Sequence, residues 1–305
     1  MRILIVASFN NCRFSPFVVE QGDALMNNGC QVEYFGVTGK GIKGYLNSLP
    51  TLKKTIDLYK PDIIHAHYGL CGLFANLQRR VPVVTTYHGS DINLKSVLPF
   101  SRLSMVLSRH NVLVSKRLSD IAHQRKKCTV LPCGINLSDL QQTEKREARK
   151  RVGFDQDKKY VLFAGAFDNA VKNYSLAKET MDLVPEAELI ELKGYTRDMV
   201  TLLMCSADCF LMTSHTEGSP QVIKEAMTCG CPIVSADVGD VKDVISGIEG
   251  CKVTSRNPND IATAIKEALN FTGKTMGRKR IIALGLTNDI VAKKLLVIYN
   301  SILHK

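Results

Sequence analysis

Two glutamates with seven residues between them frame the segment best equipped for chemistry, His215–Pro232, HTEGSPQVIKEAMTCGCP. It follows an apolar run, CFLMTS, that reads as a buried strand, and it opens a helix. Ser219 suits the N-cap, and Pro220 suits the first helical position, where no N–H is required. Gly218 lets the backbone come close to a ligand. The amino end of such a helix offers N–H groups and a positive dipole end, a seat for a diphosphate or a sugar hydroxyl. Gln221 and Glu225 are four apart and share one helix face, so Glu225 and the loop residue Glu217 are both expected to face one pocket. Gly230 stops the helix and Pro232 lies beyond it. The plainer reading, a capped helix carrying two surface glutamates, leaves the agreement of strand, loop, cap and spacing unexplained.

Two further segments end strands in chemically useful residues. Val161–Ala177, VLFAGAFDNAVKNYSLA, reads as a strand, a turn at Gly165 and a helix with Lys172 and Asn173 at its start. Val81–Asn93, VPVVTTYHGSDIN, puts His88 at the carboxyl end of a strand, with Asp91 expected to cap the next turn or helix. Other signals are weaker. His65 and His67 alternate on a strand end, but no nearby Cys, Asp or Glu completes a metal set, and no DxD stands near a strand end, so no metal is expected. A GxGxxG at Gly39, Gly41 and Gly44 follows the second strand rather than the first and reads as a mobile loop, not a dinucleotide site. The basic run His123–Cys128 reads as a solvated helix end.

Alternation of short apolar runs with amphipathic stretches positions these residues and predicts βαβ units with parallel sheets. In the first half, strands are expected at 3–7, 32–37, 63–66, 83–87, 112–114 and 129–131, with helices between them. After a charged helical stretch at 144–154 the pattern restarts, with strands at 160–164, 188–192, 209–213, 232–235 and 250–253. The expected fold class is α/β: two doubly wound, Rossmann-like domains, 1–150 and 151–287, with a cleft between them. Apolar residues at helical spacing make 288–305 a closing helix that packs back toward the first domain. Ligands in such sheets bind at the carboxyl ends of the strands.

Bulk properties narrow the class. The 305 residues are 45% hydrophobic and 23% charged, ordinary for a protein that buries a core. No apolar run reaches membrane-spanning length, and the start MRILIVASFNNC reads as a first strand rather than a signal peptide. Ten cysteines without CxxC pairs read as reduced thiols, so a cytoplasmic address is expected. Residues 1–140 carry 17 Lys and Arg against 8 Asp and Glu, whereas residues 156–288 carry 15 against 17. A basic half reads either as a merely solvated surface or as pointing to an anionic partner: a phosphate-bearing acceptor, a peripheral, anionic membrane surface or nucleic acid. Nucleic acid is not expected, because no helix-turn-helix, aromatic platform or zinc module is recognisable.

EGSPQVIKE, Glu217–Glu225, resembles the E-x7-E pattern of retaining glycosyltransferases of the GT-B fold, and more narrowly glycosyltransferase family 4. The resemblance implies that Glu225 holds the ribose of a nucleotide-diphosphate sugar, while Glu217, Gly218, Ser219 and Gln221 line the sugar site. Lys172, with Gly165 and Asn173 beside it, would neutralise the diphosphate and the charge that grows on it as the glycosidic bond breaks. The family usually carries an arginine just after the glycine; here Ala166 stands there, and Arg197 is the candidate substitute. His88 matches the HG-x-D strand end, where relatives contact donor sugar or acceptor. TVLPCGINLSDL, Thr129–Leu140, resembles the interdomain connection. The matches span nearly the whole chain, which is short for the family, with the trimming expected in the first domain. The implied activity is that of a metal-independent hexosyltransferase, with His88, Lys172 and Glu217 catalytic, no cofactor, and a glycan, lipid-linked or lipopolysaccharide-type acceptor. The 39–44 loop would then lie on the acceptor side. A nucleotide-sugar epimerase or hydrolase on the same fold, and a non-catalytic nucleotide-binding relative, are the alternatives.

Overall fold

The computed structural model describes every residue except Asn11, Lys40, Gln124, Arg125 and Lys305. The chain divides into two units: residues Met1–Gly134 with Leu286–Lys305, and residues Ile135–Gly285.

The first unit runs β1 (Arg2–Ser8), α1 (Pro16–Asn27), β2 (Gln31–Val37), α2 (Gly41–Asn47), α3 (Leu49–Tyr59), β3 (Ile63–His67), α4 (Gly69–Asn76), β4 (Val83–Tyr87), α5 (Ser90–Asn93), α6 (Leu98–Leu107), β5 (His110–Leu113), α7 (Lys116–Ala122) and β6 (Cys128–Val130). Its sheet is parallel, in the order β2-β1-β3-β4-β5-β6. Strand alternation splits the core between the two faces. Ile3, Ile5 and Ala7 pack with Val18 and Leu25 of α1, whereas Leu4 and Val6 pack with Leu52 and Ile56 of α3 and Phe74 of α4. The 39–44 segment differs from the expected loop: α2 begins at Gly41, and Gly39, at φ 104°, lies so close to Gly44 that a Cβ on Gly39 would meet Gly44 Cα at 2.8 Å. Lys40, and Gln124 and Arg125 of the basic run, lie outside the described residues.

The second unit runs α8 (Lys145–Val152), β7 (Lys159–Phe163), α9 (Tyr174–Met181), β8 (Ala187–Glu191), α10 (Arg197–Ser206), β9 (Cys209–Met212), α11 (Gln221–Cys229), β10 (Ile233–Ala236), α12 (Val241–Ile245), β11 (Cys251–Thr254), α13 (Pro258–Leu269) and α14 (Gly277–Ala283). Its parallel sheet has the order β11-β10-β9-β7-β8. The chain steps from β7 outward to β8 and then back to β9, so the order reverses between β7 and β9. That reversal opens a crevice beyond the carboxyl ends of these two strands.

The division falls earlier than residue 150, and α8 belongs to the second unit. Arg149 fixes it there: its guanidinium donates to Asp208 Oδ2 at 2.7 Å, Ser206 O at 3.1 Å and Gln156 O at 2.6 Å, and both charged side chains are buried. Gly153, at φ 76°, ends the helix in the left-handed conformation. The last helix, α15 (Asn288–Leu303), is part of the first unit, with Val291, Leu295, Ile298 and Tyr299 in its core and Thr287 Oγ1 accepting from Ile290 N at the cap. Among the described residues no helix is long and apolar enough to cross a membrane.

Removing one partner of a buried ion pair strands the other charge. Arg149→Met is therefore expected to lower the unfolding free energy of the second unit by about 3 kcal/mol in urea denaturation. An unchanged midpoint would mean that Lys145, 2.6 Å from Asp208 Oδ1, compensates fully and that Arg149 does not fix α8.

Candidate active site

The crevice at the β7–β9 reversal is built by two loops. After β7, Gly165 stands at φ 154°, and a Cβ there would meet Lys172 Cγ at 3.0 Å, so the glycine lets the lysine chain lie across it. A short 3-10 turn, Ala170–Lys172, leads to Asn173, whose left-handed φ of 56° starts α9. After β9, Ser214 and Glu217 enter the same space. Lys172 Nζ donates to Glu217 Oε1 at 2.8 Å, and Ser214 Oγ donates to the same oxygen at 3.0 Å.

Backbone contacts stitch the loops together. Thr213 Oγ1 donates to Lys172 O and Asn173 O, each at 2.9 Å, and His215 N donates to Val171 O at 2.9 Å. Arg256, on the loop after β11, clamps the second loop through Ser214 O at 3.1 Å and His215 O at 2.9 Å.

The start of α11 differs from the expected cap by one residue. Pro220 is the N-cap, Gln221 is the first helical residue, and no side chain caps the end. Ser219 Oγ donates instead to Asp240 Oδ2 at 2.6 Å, because the 237–240 turn packs so tightly on this loop that a Cβ on Gly239 would lie 2.5 Å from Gly218 O. Burial pushes the Asp240 carboxyl above its usual range, with Lys224 and the Ser219 hydroxyl holding the rise back. Lys224 is fully buried and donates to Gln221 Oε1 at 3.1 Å. Farther along α11, Glu225 Oε1 lies 3.9 Å from a guanidinium nitrogen of Arg197 at the start of α10.

The structure thus brings Gly165, Lys172, Asn173 and Glu217 together, sets Arg197 against Glu225, and ties Ser219 and Gln221 to Asp240 and Lys224. Sequence reasoning missed Lys224, Asp240 and Arg256. The first had a signal, a lysine three residues after Gln221 on the same helix face. The other two act across loops far apart in sequence and left none.

His88 belongs to the first unit, just past β4. Its ring stacks on His67 at 5.2 Å between centroids, and His67 stacks on His65 at 4.7 Å. His67 Nδ1 lies 3.0 Å from His88 Nε2, and Cys133 Sγ lies 3.6 Å from His88 Nδ1. Burial pushes His67 down to about 3, so its ring is neutral. His67 Nε2 is buried without a hydrogen-bond partner. A bare lone pair is tolerated there more readily than an orphaned N–H, so we assign the His67 proton to Nδ1, donated to His88 Nε2. Protein groups thus engage both ring nitrogens of His88.

Asp91 does more than cap one turn. Its carboxylate accepts from the backbone N–H groups of His88 at 3.1 Å, Gly89 at 2.9 Å and Gly69 at 3.1 Å. Burial raises it to about 6 against these bonds. Beside it a cavity of about 250 Å³ is lined by Ser8, Tyr45, Tyr68, Leu94 and Val97, among others, at the carboxyl ends of β1, β3 and β4.

Comparisons with known proteins identify the family and the fold. Residues 16–139 match the family model described as Glycosyltransferase Family 4, and residues 161–270 match Glycosyl transferases group 1. A similar protein is the putative teichuronic acid biosynthesis glycosyltransferase TuaC of Bacillus subtilis (strain 168), 28% identical over 247 residues that cover 71% of this chain and 63% of TuaC. The chain thus spans less than two thirds of that relative's length. Among solved structures, sucrose-phosphate synthase from Thermosynechococcus elongatus superposes with a TM-score of 0.84 at 16% identity, covering 99% of this chain and 98% of that one. Anabaena HepE in complex with UDP does so with a TM-score of 0.76 at 16% identity, covering 99% and 100%. The fold is GT-B, a two-domain α/β architecture with a parallel sheet in each domain. The chain belongs to the family 4, group 1 glycosyltransferases.

The histidine column gives a pH signature. Native His67 stays neutral down to about 3, while the unfolded chain protonates it near its ordinary 6.5. Stability from this group is full above about 6.5 and drains as the pH falls toward 3. Asp91 acts in the opposite sense between its ordinary value and about 6, equally in wild type and variant, so it cancels in the difference. Between pH 7.5 and pH 5 the wild type is expected to lose about 2 kcal/mol more than His67→Gln in urea titrations. Equal losses would show that His67 is protonated in the native state.

Proposed function

We propose that this protein is a retaining glycosyltransferase that moves a sugar from a nucleotide-diphosphate donor to a glycan, lipid-linked or lipopolysaccharide-type acceptor. The observation that carries the reading is the Lys172–Glu217 pair at the β7–β9 crevice. A diphosphate would compete with Glu217 for Lys172 and lie at the uncapped start of α11, where the helix dipole favours anions. Glu225, oriented by Arg197, takes the ribose hydroxyls. Glu217, released from its full hold on Lys172, and the 218–221 backbone take the sugar.

The lysine and the helix end supply the positive charge that stabilises the leaving diphosphate, so the reaction is read as metal-independent. The acceptor hydroxyl attacks the face that the diphosphate leaves, and a phosphate oxygen receives its proton. His88, with both nitrogens engaged, positions the acceptor through its ring and its loop rather than serving as a base. UDP- and GDP-sugars are the expected donors, and the UDP held by the similarly folded HepE favours UDP. The acceptor enters by the cavity beside Tyr68 and Asp91. The basic charge of the first half supports an acceptor at an anionic membrane surface, on the cytoplasmic side.

Glu217→Gln is expected to cut kcat at least a hundredfold, the scale of losing one transition-state contact, while nucleotide affinity changes only a few-fold. The product anomer, read by NMR, should match that of the donor, and EDTA should leave the rate unchanged. Full activity of Glu217→Gln, or an inverted product, would refute the mechanism.

A further inference from the structure

Between Asp62 and Asp120 the chain carries seven lysines and arginines and one carboxylate, Asp91. Asp91 is buried and committed to three backbone amides, so it screens nothing outside. Part of this charge converges where the turn after α4 meets the end of α6. There an open groove of about 600 Å³ is lined by Arg79, Arg80 and Arg109, with Val106 at its rim. On the outer face of α6, Arg102 and Leu103 continue the surface. Leu103 is 50% and Val106 76% exposed, large aliphatic side chains left in water among cations. Arg80 also pairs with Asp57 of α3 at 2.7 Å, both side chains half-exposed, an interaction worth little in water.

We propose that this face, the outer side of α6 with the turn after α4, docks on an anionic lipid bilayer. The inference rests on the reading above that the acceptor is membrane-associated, and it names the surface that holds the first unit at the bilayer. Arginines interspersed with exposed aliphatic side chains are what a headgroup region selects: phosphates meet the guanidinium groups, and the aliphatic tips enter the boundary of the acyl chains. A nucleic acid would gain nothing from the exposed aliphatic side chains of Leu103 and Val106. A second copy of the chain is disfavoured, because a twofold contact would set arginines against arginines. The groove lies at the amino ends of β4 and β5, one strand length from His88, so docking leaves the carboxyl edge of the sheet uncovered.

The full chain is to be sedimented with phosphatidylcholine vesicles with and without phosphatidylglycerol, at low and high salt. Binding is expected only with phosphatidylglycerol, falling as salt rises. It should weaken about fivefold per arginine in the series Arg79→Ser, Arg80→Ser and Arg109→Ser. Val106→Asp should weaken binding in low salt as well. Equal binding to neutral vesicles, an unchanged series, or a tighter hold on duplex RNA than on the anionic vesicles would overturn the proposal. Thermal shifts with UDP and GDP on the same samples report folding and separate the two readings. Retained shifts without vesicle binding would sink the docking face alone, whereas absent shifts in the wild type would sink the transferase reading.

Discussion

One ammonium and one carboxylate, Lys172 and Glu217, hold two loops of the second unit together at the place where its sheet reverses strand order. Each side chain is less than one fifth exposed, so the attraction is not diluted as it would be on an open surface. The surrounding contacts keep it in place. Thr213 and His215 bond the backbone of 171–173, and Arg256 pins the other loop from behind. Without these, two flexible side chains would lose most of the gain from pairing to rotamer entropy. On the proposed reading, such a site has a cation in place before an anionic ligand arrives, and a carboxylate that would be freed when the ligand takes the cation.

Much of this was legible in the residues. Strands and helices followed from apolar alternation, and the strand–loop–helix around Glu217 followed from Gly218, Pro220 and the spacing to Glu225. Local rules failed where distant residues decided the outcome. Ser219 has the chemistry of an N-cap, yet Asp240, twenty-one residues on, takes its hydroxyl, and the helix begins one residue later. Residues 135–150 read as the tail of the first domain because the strand pattern restarts only after the charged stretch at 144–154. Arg149 assigns them to the second unit, through a buried partner fifty-nine residues away. Three glycines in 39–44 suggested a loop, yet a close approach of Gly39 and Gly44 lets α2 start at Gly41.

The histidines show how burial redirects chemistry. On sequence alone His88 is a group that touches substrate, and His65 and His67 are bystanders. In the fold the three rings form a column, with His65 bonded to Thr86, Gln21 and Tyr299 and His67 bonded to His88. Tyr299 comes from α15, so the last helix of the chain braces the far end of the column that begins at His88. His65 and His67, neutral and desolvated, act as a rigid spacer behind His88 rather than as proton acceptors, since burial disfavours their charged forms.

The most direct test of the central claim is the affinity of UDP and GDP for the wild type and for Lys172→Ala, read by isothermal titration calorimetry. Loss of a charge-assisted contact to a diphosphate should weaken the preferred nucleotide at least tenfold, with Glu217→Ala binding as tightly as the wild type or more so. Undiminished binding of both nucleotides by Lys172→Ala would contradict the account, because the ammonium that holds the two loops would then have no part in holding the donor.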